Sequence, residues 1–455
     1  MNSNQSVRYF GTDGIRGTFG ASFFTPEFVL RLGLALGHYC QQQGILCVLV
    51  GQDPRNSGDV IASLLVSGLL SYGIDVQCLG ILPTPAVAYL TRQRGKISSD
   101  TLGVMISASH NLYSDNGIKC FGPDGYKLSD EAEQILETLL LQVDLKDCYK
   151  TPHQRYGQRV VDLAAASDYS VFCKAGLPEG FDLRDLKIVV DCAHGAIADL
   201  AGPLLDSLGA QVLSIHAAPN GFNINDQCGS VFPRHLQAKV LAQNADLGIA
   251  FDGDADRLLL VTHDGHIVNG DQILYILVRD DLDQNKNIAG VVGTEMSNIG
   301  LEYALRELKV DFYRAPVGDR SVLQALNARG WRLGGESSGH ILDLEQSTTG
   351  DAMLAALRVL SVMVRNRQSL SQLIEPMRVY PQLLINIALP RTQPLEHLEP
   401  AIHQAREALA NTGRVFVRRS GTEPVLRLMI EGSDQNQIEQ IGALLAESIE
   451  VQLVR

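Results

Sequence analysis

Two short segments hold residue types able to carry out a reaction. The apolar run Thr101–Ile106 leaves into Ser107-Ala108-Ser109-His110-Asn111, turns through Ser114-Asp115-Asn116-Gly117 and returns as Ile118-Lys119-Cys120-Phe121. A hydroxyl at a strand exit beside His110 and Lys119 suits an activated nucleophile or a phosphate carrier. The same residues also suit a Ser/Asn-rich turn. Further on, Asp252-Gly253-Asp254-Ala255-Asp256-Arg257 lies between the strand-like runs Leu247–Phe251 and Leu258–Val261. Carboxylates at alternate positions at the mouth of an apolar strand repel one another unless a cation joins them. An all-oxygen set suits Mg²⁺ or a similar hard ion. An EF-hand is excluded, because its sixth position is Arg257 rather than Gly and its twelfth is His263 rather than an acid. A solvated acidic turn is the alternative, opposed by two flanks that read as buried strands.

Two further loops have weaker chemistry. Gly335-Glu336-Ser337-Ser338-Gly339-His340 follows the run Trp331–Gly334 and combines close-approach glycines with groups that hydrogen-bond hydroxyls. It fits a polyol or sugar, and a satisfied turn accounts for it equally well. Arg418-Arg419-Ser420-Gly421-Thr422-Glu423-Pro424, with Arg427 on the next strand, joins backbone N–H groups, two hydroxyls and guanidiniums into an anion nest suited to phosphate. A plain basic hairpin has the same composition. Gly11–Gly17, with Arg16 at its centre, is glycine-rich but follows no strand and lacks the Walker Lys-Ser/Thr. Asp53-Pro54-Arg55-Asn56-Ser57-Gly58 suits either a turn or a support for the serine loop. His38, His216 and His403 show no partner pattern and read as structural.

The elements that must position these loops follow a repeated scheme. Ile45–Val50, a polar loop, an amphipathic stretch Asp59–Tyr72, Gly73 and Ile74–Leu79 form a strand–helix–strand pattern. Leu186–Val190, Ala198–Leu208, Gly209 and Gln211–Ile215 repeat it, and so do Ile288–Val292, Ile299–Leu308 and Val310–Arg314. Apolar strands alternating with helices of this length predict parallel α/β units, whose ligands bind beyond the carboxyl ends of the strands. The tail differs. It has a strand Leu383–Ala388, a helix near 398–410, strands Val415–Val417 and Val425–Ile430, and a helix Gln435–Val451, an α+β arrangement. The expected architecture is three related α/β domains with mixed sheets (1–155, 156–258 and 259–372) and a C-terminal α+β domain (373–455), around a central cleft.

Composition narrows the function classes. The chain has 455 residues, 38 Lys+Arg and 51 Asp+Glu, hence a formal net charge of −13. This acid excess argues against nucleic acid and against anionic lipid as partners. Met1–Gly11 has no apolar h-region, so no signal peptide is expected, and no run approaches the ~20 apolar residues of a membrane span. The 8 cysteines form no C-x-x-C pair and read as reduced core residues of a cytoplasmic protein rather than disulfides or zinc ligands.

Taken in order, the Ser-Ala-Ser-His-Asn, Asp-x-Asp-x-Asp-Arg, Gly-Glu-x-Ser-Gly-His and Arg-x-Ser-Gly-Thr-Glu-Pro loops resemble those of the α-D-phosphohexomutases, over essentially the whole chain. The segments Tyr9–Gly17, Val317–Arg320 and Thr348–Asp351 look most like the bacterial branch that acts on glucosamine phosphates. The resemblance implies that Ser109 is phosphorylated in the active enzyme. It also implies that Asp252, Asp254 and Asp256 hold one Mg²⁺, completed by the Ser109 phosphate. Glu336, Ser338, His340 and Arg320 would contact the sugar, and Arg418, Ser420, Gly421, Thr422 and Arg427 the phosphate not in transfer. Lys119, Arg257 and Arg16 would stabilise charge, with Lys119, His110 or His340 as general acid/base. The implied reaction interconverts glucosamine 6-phosphate and glucosamine 1-phosphate through a hexose 1,6-bisphosphate, for amino-sugar nucleotide synthesis. The implied partner is a sugar phosphate, and a homodimer is allowed for. Glucose or mannose phosphates, a phosphoserine phosphatase and a non-catalytic sugar-phosphate sensor are the other readings. Leu112, Ala255, Pro54 and His194 stand where the family usually has Pro, Gly, Thr and Asn. Alanine is cheap in place of glycine only at negative φ, which is therefore predicted at Ala255. An anionic substrate and an acidic chain together predict a positive cleft in a negative shell.

Overall fold

The structure, a computed structural model, describes residues 9–11, 13–146, 155–388, 398–410, 412–419 and 425–454. Its first sheet runs, in spatial order, Ile15–Thr18, Asp115–Phe121, Thr101–Ile106, Cys47–Gln52, Asp75–Ile81 and Arg159–Val161. The predicted strand–helix–strand repeat is present: Cys47–Gln52 pairs parallel with Asp75–Ile81 across the helix Gly58–Ser71. Gly73, at φ 74°, lets the chain reverse after that helix. Thr101–Ile106 also pairs parallel to Cys47–Gln52, while Asp115–Phe121 returns antiparallel, so the sheet is mixed.

The second and third repeats behave alike. Lys187–Asp191 pairs parallel with Gln211–Ile215 and Leu247–Phe251, and Leu258–Thr262 and then Ile267–Val268 extend that sheet antiparallel. Gly290–Thr294 pairs parallel with Asp311–Ala315 and Leu333–Gly335, and Ile341–Asp343 closes the third sheet antiparallel. Relative to the expected boundaries, the first sheet takes in Arg159–Val161 and the second continues to Val268. Antiparallel hairpins at the ends of parallel sheets place the Ser109 and Asp252–Asp256 loops at the carboxyl ends of Thr101–Ile106 and Leu247–Phe251.

One continuous apolar core runs through the three α/β units, from Leu79, Val87 and Phe121 through Ile188 and Phe251 to Val291 and Leu360. The tail forms an antiparallel sheet, Gln382–Ala388, Val425–Gly432 and Gly413–Arg419, packed with Glu399–Leu409 and Gln435–Val454. Its core, with Leu398, Leu426, Leu428 and Ile438, is separate from the others. The tail meets the third unit through polar contacts. Buried Glu431 accepts from the Ile299 N–H at 3.3 Å and pairs with Arg414, which also donates to the Ser297 carbonyl at 2.8 Å. Separate cores joined by hydrogen bonds are the construction that permits relative motion of units.

Among the described residues, no helix is long and apolar enough to cross a membrane. The described cysteines are free thiols, and Cys40, Cys120, Cys173, Cys192 and Cys228 are buried. His38 hydrogen-bonds Gln42 and His403 pairs with Glu407 on the surface, as structural histidines do.

Candidate active site

Ser109 leaves the Thr101–Ile106 strand with φ 52°, a left-handed conformation that non-glycine residues adopt only when surroundings impose it. Those surroundings are specific. The Ser109 N–H donates to Ser107 Oγ at 2.8 Å, and Ser107 Oγ donates to Asp53 Oδ2 at 2.6 Å. The Ser109 carbonyl accepts from Arg55 Nη2 at 2.9 Å and Asn225 Nδ2 at 2.8 Å. The segment Asp53–Gly58, open between turn and support, is thus a support.

The side chain of Ser109 is turned toward the aspartates. Its Oγ donates to Asp252 Oδ2 at 2.6 Å and lies 3.2 Å from His110 Nδ1. Gly253 makes this approach possible, because a Cβ there would lie 2.6 Å from the Ser109 carbonyl oxygen. Asp252 Oδ1 accepts from the Asp256 and Arg257 N–H groups, both at 3.1 Å, which curls the loop and gathers its carboxylates. The predicted negative φ at Ala255 is incorrect: it is +55°. Ala255 is fully buried, and its carbonyl accepts from the Ala352 N–H at 3.2 Å, so tertiary anchoring outweighs the steric cost of a left-handed alanine.

Asp252, Asp254 and Asp256 are buried and each offers an oxygen within 4.8 Å of the others'. Asp254 Oδ1 and Asp256 Oδ1 have no hydrogen-bond partner. Three buried carboxylates this close together, two of them with an unpartnered oxygen, fit a hard, oxygen-ligated cation. Lys119 Nζ partly compensates, donating to Asp254 Oδ2 at 2.9 Å and Asp256 Oδ2 at 3.2 Å, with Asp13 at 3.3 Å. Burial opposes the Lys119 charge, but Asp13, Asp254 and Asp256 outweigh it and raise its pKa well above the usual lysine value. Asp252 moves the opposite way to its neighbour: burial, then Asp256 and Asp254, push it well above the carboxylate range. Asp256 is penalised by burial, yet Lys119, His340 and Arg257 hold it well below.

The two histidines differ too. Burial, then Arg257 and Arg16, push His110 down to about 4, so it is neutral at pH 7. Burial opposes charge on His340, but Asp256, whose Oδ1 lies 3.7 Å from Nδ1, raises its pKa. For His110 the folded pKa lies below that of an unfolded imidazole, about 6.5. The unfolded chain therefore binds the extra proton first as pH falls. The stability is full above about pH 6.5 and is lost as pH falls toward 4. In His110→Gln, the drop in urea midpoint between pH 7 and pH 4.5 is expected to shrink; an unaltered drop would contradict a neutral buried imidazole.

The Glu336 loop packs against the same strand pair, with the Leu258 N–H donating to the Gly339 carbonyl at 2.9 Å. Glu336 Oε1 accepts from the Gly318 N–H at 3.0 Å and Oε2 from Ser338 Oγ at 3.3 Å, so these two residues are brought together. His340 adjoins a cavity of about 500 Å³ between the first and third units, also lined by Tyr126, Lys127, Asp319 and Thr348. Arg320 lines it as well, but its guanidinium is taken up by Asp130 and by Glu133, at 2.5 and 2.9 Å. It ties the first unit to the third.

Arg418 and Arg427 are directly opposite each other in the tail sheet and line a second cavity of about 270 Å³ with Asn386 and Phe416. Burial, and then Arg427, lower the pKa of Arg418. Two adjacent guanidiniums in this state favour an anion between them. Ser420, Gly421 and Thr422 lie outside the described residues.

Several site residues escaped the sequence reading. Asp13 pairs with Arg16, Lys119 and Lys127, and Lys127 also pairs with Asp319. Thr84 donates to Asp254 Oδ2 at 2.6 Å. Asp319 stands in the Val317–Arg320 segment and Asp13 and Arg16 in the glycine-rich opening, but Lys127, Thr84 and Asn225 had no distinguishing spacing. Lys119, Lys127, Arg16 and Arg257 all face carboxylates, so these cations, expected to line a positive cleft, are each matched by an acid.

The chain matches the phosphoglucomutase/phosphomannomutase alpha/beta/alpha domain I over residues 7–147, domain II over 176–265, domain III over 269–380 and the C-terminal domain over 384–448. It belongs to the phosphoglucomutase/phosphomannomutase family, the phosphohexomutases. Among curated relatives, it is 46% identical to the phosphoglucosamine mutase of Edwardsiella ictaluri over 445 residues, 97% of this chain and 98% of the relative. It is likewise 46% identical to that of Escherichia coli O139:H28 over 446 residues, with the same coverage. Its fold is similar to a solved phosphoglucomutase/phosphomannomutase family protein from Burkholderia thailandensis, with TM-score 0.80, 24% identity and 97% of each chain covered. It is also similar to Aspergillus fumigatus N-acetylphosphoglucosamine mutase in complex with GlcNAc-6P and magnesium, with TM-score 0.65 and 17% identity, covering 99% of this chain and 96% of that one.

Proposed function

We propose that this phosphohexomutase interconverts glucosamine 6-phosphate and glucosamine 1-phosphate in the cytoplasm, with phosphorylated Ser109 as both donor and acceptor. The observation that carries the reading is Ser109 Oγ, 2.6 Å from Asp252 in a triad whose other members keep orphaned oxygens. The relatives at 46% identity support the amino sugar as substrate. In the first half-reaction the phosphoserine Oγ–P bond breaks and a bond to the sugar 1-oxygen forms, with the hydroxyl proton passing to a base and the departing Ser109 oxygen taking up a proton. The 1,6-bisphosphate turns over in the cleft. Its 6-oxygen–P bond then breaks, the phosphoryl group passes to Ser109 Oγ, which gives up its proton, and the 6-oxygen takes one up.

His110, neutral and 3.2 Å from Ser109 Oγ, is placed to accept the proton, and the negative charge of a phosphoserine beside it would raise its lowered pKa toward the working pH. Lys119 is held charged by three carboxylates and is suited to stabilise phosphoryl oxygens rather than act as base. When bound to Asp252, Asp254 and Asp256, Mg²⁺ supplies Lewis-acid stabilisation of the transferring group. Arg257 and Arg16 contribute further positive charge. Glu336, Ser338 and His340 orient the sugar, and Arg418 and Arg427, with Ser420, Gly421 and Thr422, hold the other phosphate.

Intact mass before and after incubation with hexose 1,6-bisphosphate tests this reading. A gain of one phosphate on Ser109, with the highest kcat/KM on glucosamine 6-phosphate, is expected. No gain would reject the phosphoserine, and a preference for glucose or mannose 6-phosphate would reject the substrate.

Because the clamp must hold either phosphate in turn, the tail is expected to rotate relative to the α/β units, about the stretch between Met377 and Gln382 and not about position 372, which lies in the core-packed helix Leu370–Ile374. Crystal structures with and without sugar phosphate that superimpose without such rotation would refute this motion.

A further inference from the structure

A second group of ligand-type side chains lies outside the phosphoryl-transfer centre. Asp191 ends the strand Lys187–Asp191, and parallel pairing sets it opposite Ile215, so His216 emerges beside it. The segment between the strand Gln211–Ile215 and the helix Arg234–Gln243 adds Cys228. A carboxylate oxygen of Asp191, an imidazole nitrogen of His216 and Cys228 Sγ all lie within 4.8 Å of one another. Asp191 and Cys228 are fully buried. His216 Nδ1 is buried 3.0 Å from Asp191 Oδ2, yet is not in hydrogen-bond geometry. The Ala193 and Gly229 N–H groups, each at 3.0 Å, fix the orientation of the Asp191 carboxylate. The rings of His194 and His235 stand 5.3 and 5.5 Å from that of His216.

We propose that Asp191, His216 and Cys228 form a second cation site, for a divalent ion of the zinc class. The donor set decides the class. One oxygen, one nitrogen and one sulfur suit a borderline ion, whereas the Asp252–Asp256 triad offers oxygen alone. Ligand atoms around tetrahedral zinc are about 3.3–3.8 Å apart, so a small inward shift closes the site. Water or a flanking imidazole takes the fourth position. Burial pushes the Cys228 thiol up to about 12, so ion binding displaces a proton from it.

The site would act structurally, because its loops back the reaction centre. Asn225 reaches from the Cys228 loop to the Ser109 and Asn111 carbonyls at 2.8 and 2.9 Å. The Ala196 N–H, from the Asp191 loop, donates to the Gly253 carbonyl at 2.8 Å.

Titration of the reduced, metal-stripped full chain with Co²⁺, in excess Mg²⁺ to fill the oxygen site, tests the assignment. Expected are a thiolate-to-cobalt charge-transfer band saturating at one ion per chain and its displacement by Zn²⁺. His216→Gln should weaken Co²⁺ binding at least about tenfold, and Cys228→Ser should remove the band. A wild-type chain without the band, or Cys228→Ser with it intact, would overturn the proposal. Should Cys228→Ser fail to fold, His216→Gln, at a partly exposed side chain, gives the same reading, and unchanged affinity there would equally overturn it.

Discussion

Ser109→Ala is expected to abolish mutase turnover, lowering kcat by at least about 10⁴-fold, even with hexose 1,6-bisphosphate supplied. The argument is chemical and not structural. The oxygen that carries the phosphoryl group is lost, and no other hydroxyl in this loop takes its place, because Ser107 Oγ is committed to Asp53 and to the Ser109 N–H. The backbone that places residue 109 is retained, since its carbonyl is held by Arg55 and Asn225 and its N–H by Ser107. The side-chain contacts removed are the 3.2 Å one to His110 Nδ1 and the bond to Asp252, a carboxyl already raised by burial and its two neighbours. The melting temperature should therefore change little while phosphate incorporation and turnover disappear together. A variant retaining wild-type turnover would end the phosphoserine mechanism.

Arg55→Met should have the largest effect on stability, about 3–5 kcal/mol, as expected for breaking a buried ion pair. Arg55 and Asp53 side chains are both fully buried, with Nε 2.9 Å from Oδ2. The guanidinium donates further to the carbonyls of Ser109, Asn111, Leu112 and Asp115. It thus organises the whole turn that carries the nucleophile. Burial already raises Asp53, and Arg55 is the largest influence opposing it, so removing the cation leaves a carboxyl that must protonate or take up water. Misplacing Ser109 by about 1 Å is enough to cost ~100-fold in rate. Lysine should not rescue, because one ammonium cannot match a planar fork serving several acceptors. Urea unfolding and kcat measured on the same preparation check both parts. A destabilisation under about 1 kcal/mol would show that the network is dispensable.

Much of this protein was legible in the chain itself. The strands Thr101–Ile106 and Leu247–Phe251 have the ends expected of them, because unbroken apolar runs bounded by polar loops have few other ways to fold. The three strand–helix–strand repeats and the α+β tail followed from periodicity, and the Ser109 and Asp252–Asp256 loops from residue types concentrated at strand exits. These are local properties, set by neighbours along the chain.

What only the tertiary structure decided involves residues distant in sequence that share one small volume. Asp13 and Lys119 meet at the triad, Thr84 reaches Asp254, and Asn225 holds the Ser109 carbonyl. Arg320, expected on the sugar, lines the cavity beside His340 and is at the same time tied to Glu133 from the first unit. The sign at Ala255 was misread for the same reason: local sterics favour negative φ, but its anchored carbonyl and complete burial impose the opposite. His216 had no partner along the chain until parallel strand pairing set it beside Asp191. Sequence determines which groups emerge from which strand ends. Their protonation and pairing depend on burial and on charges a few ångströms away, and strand order and packing alone supply both.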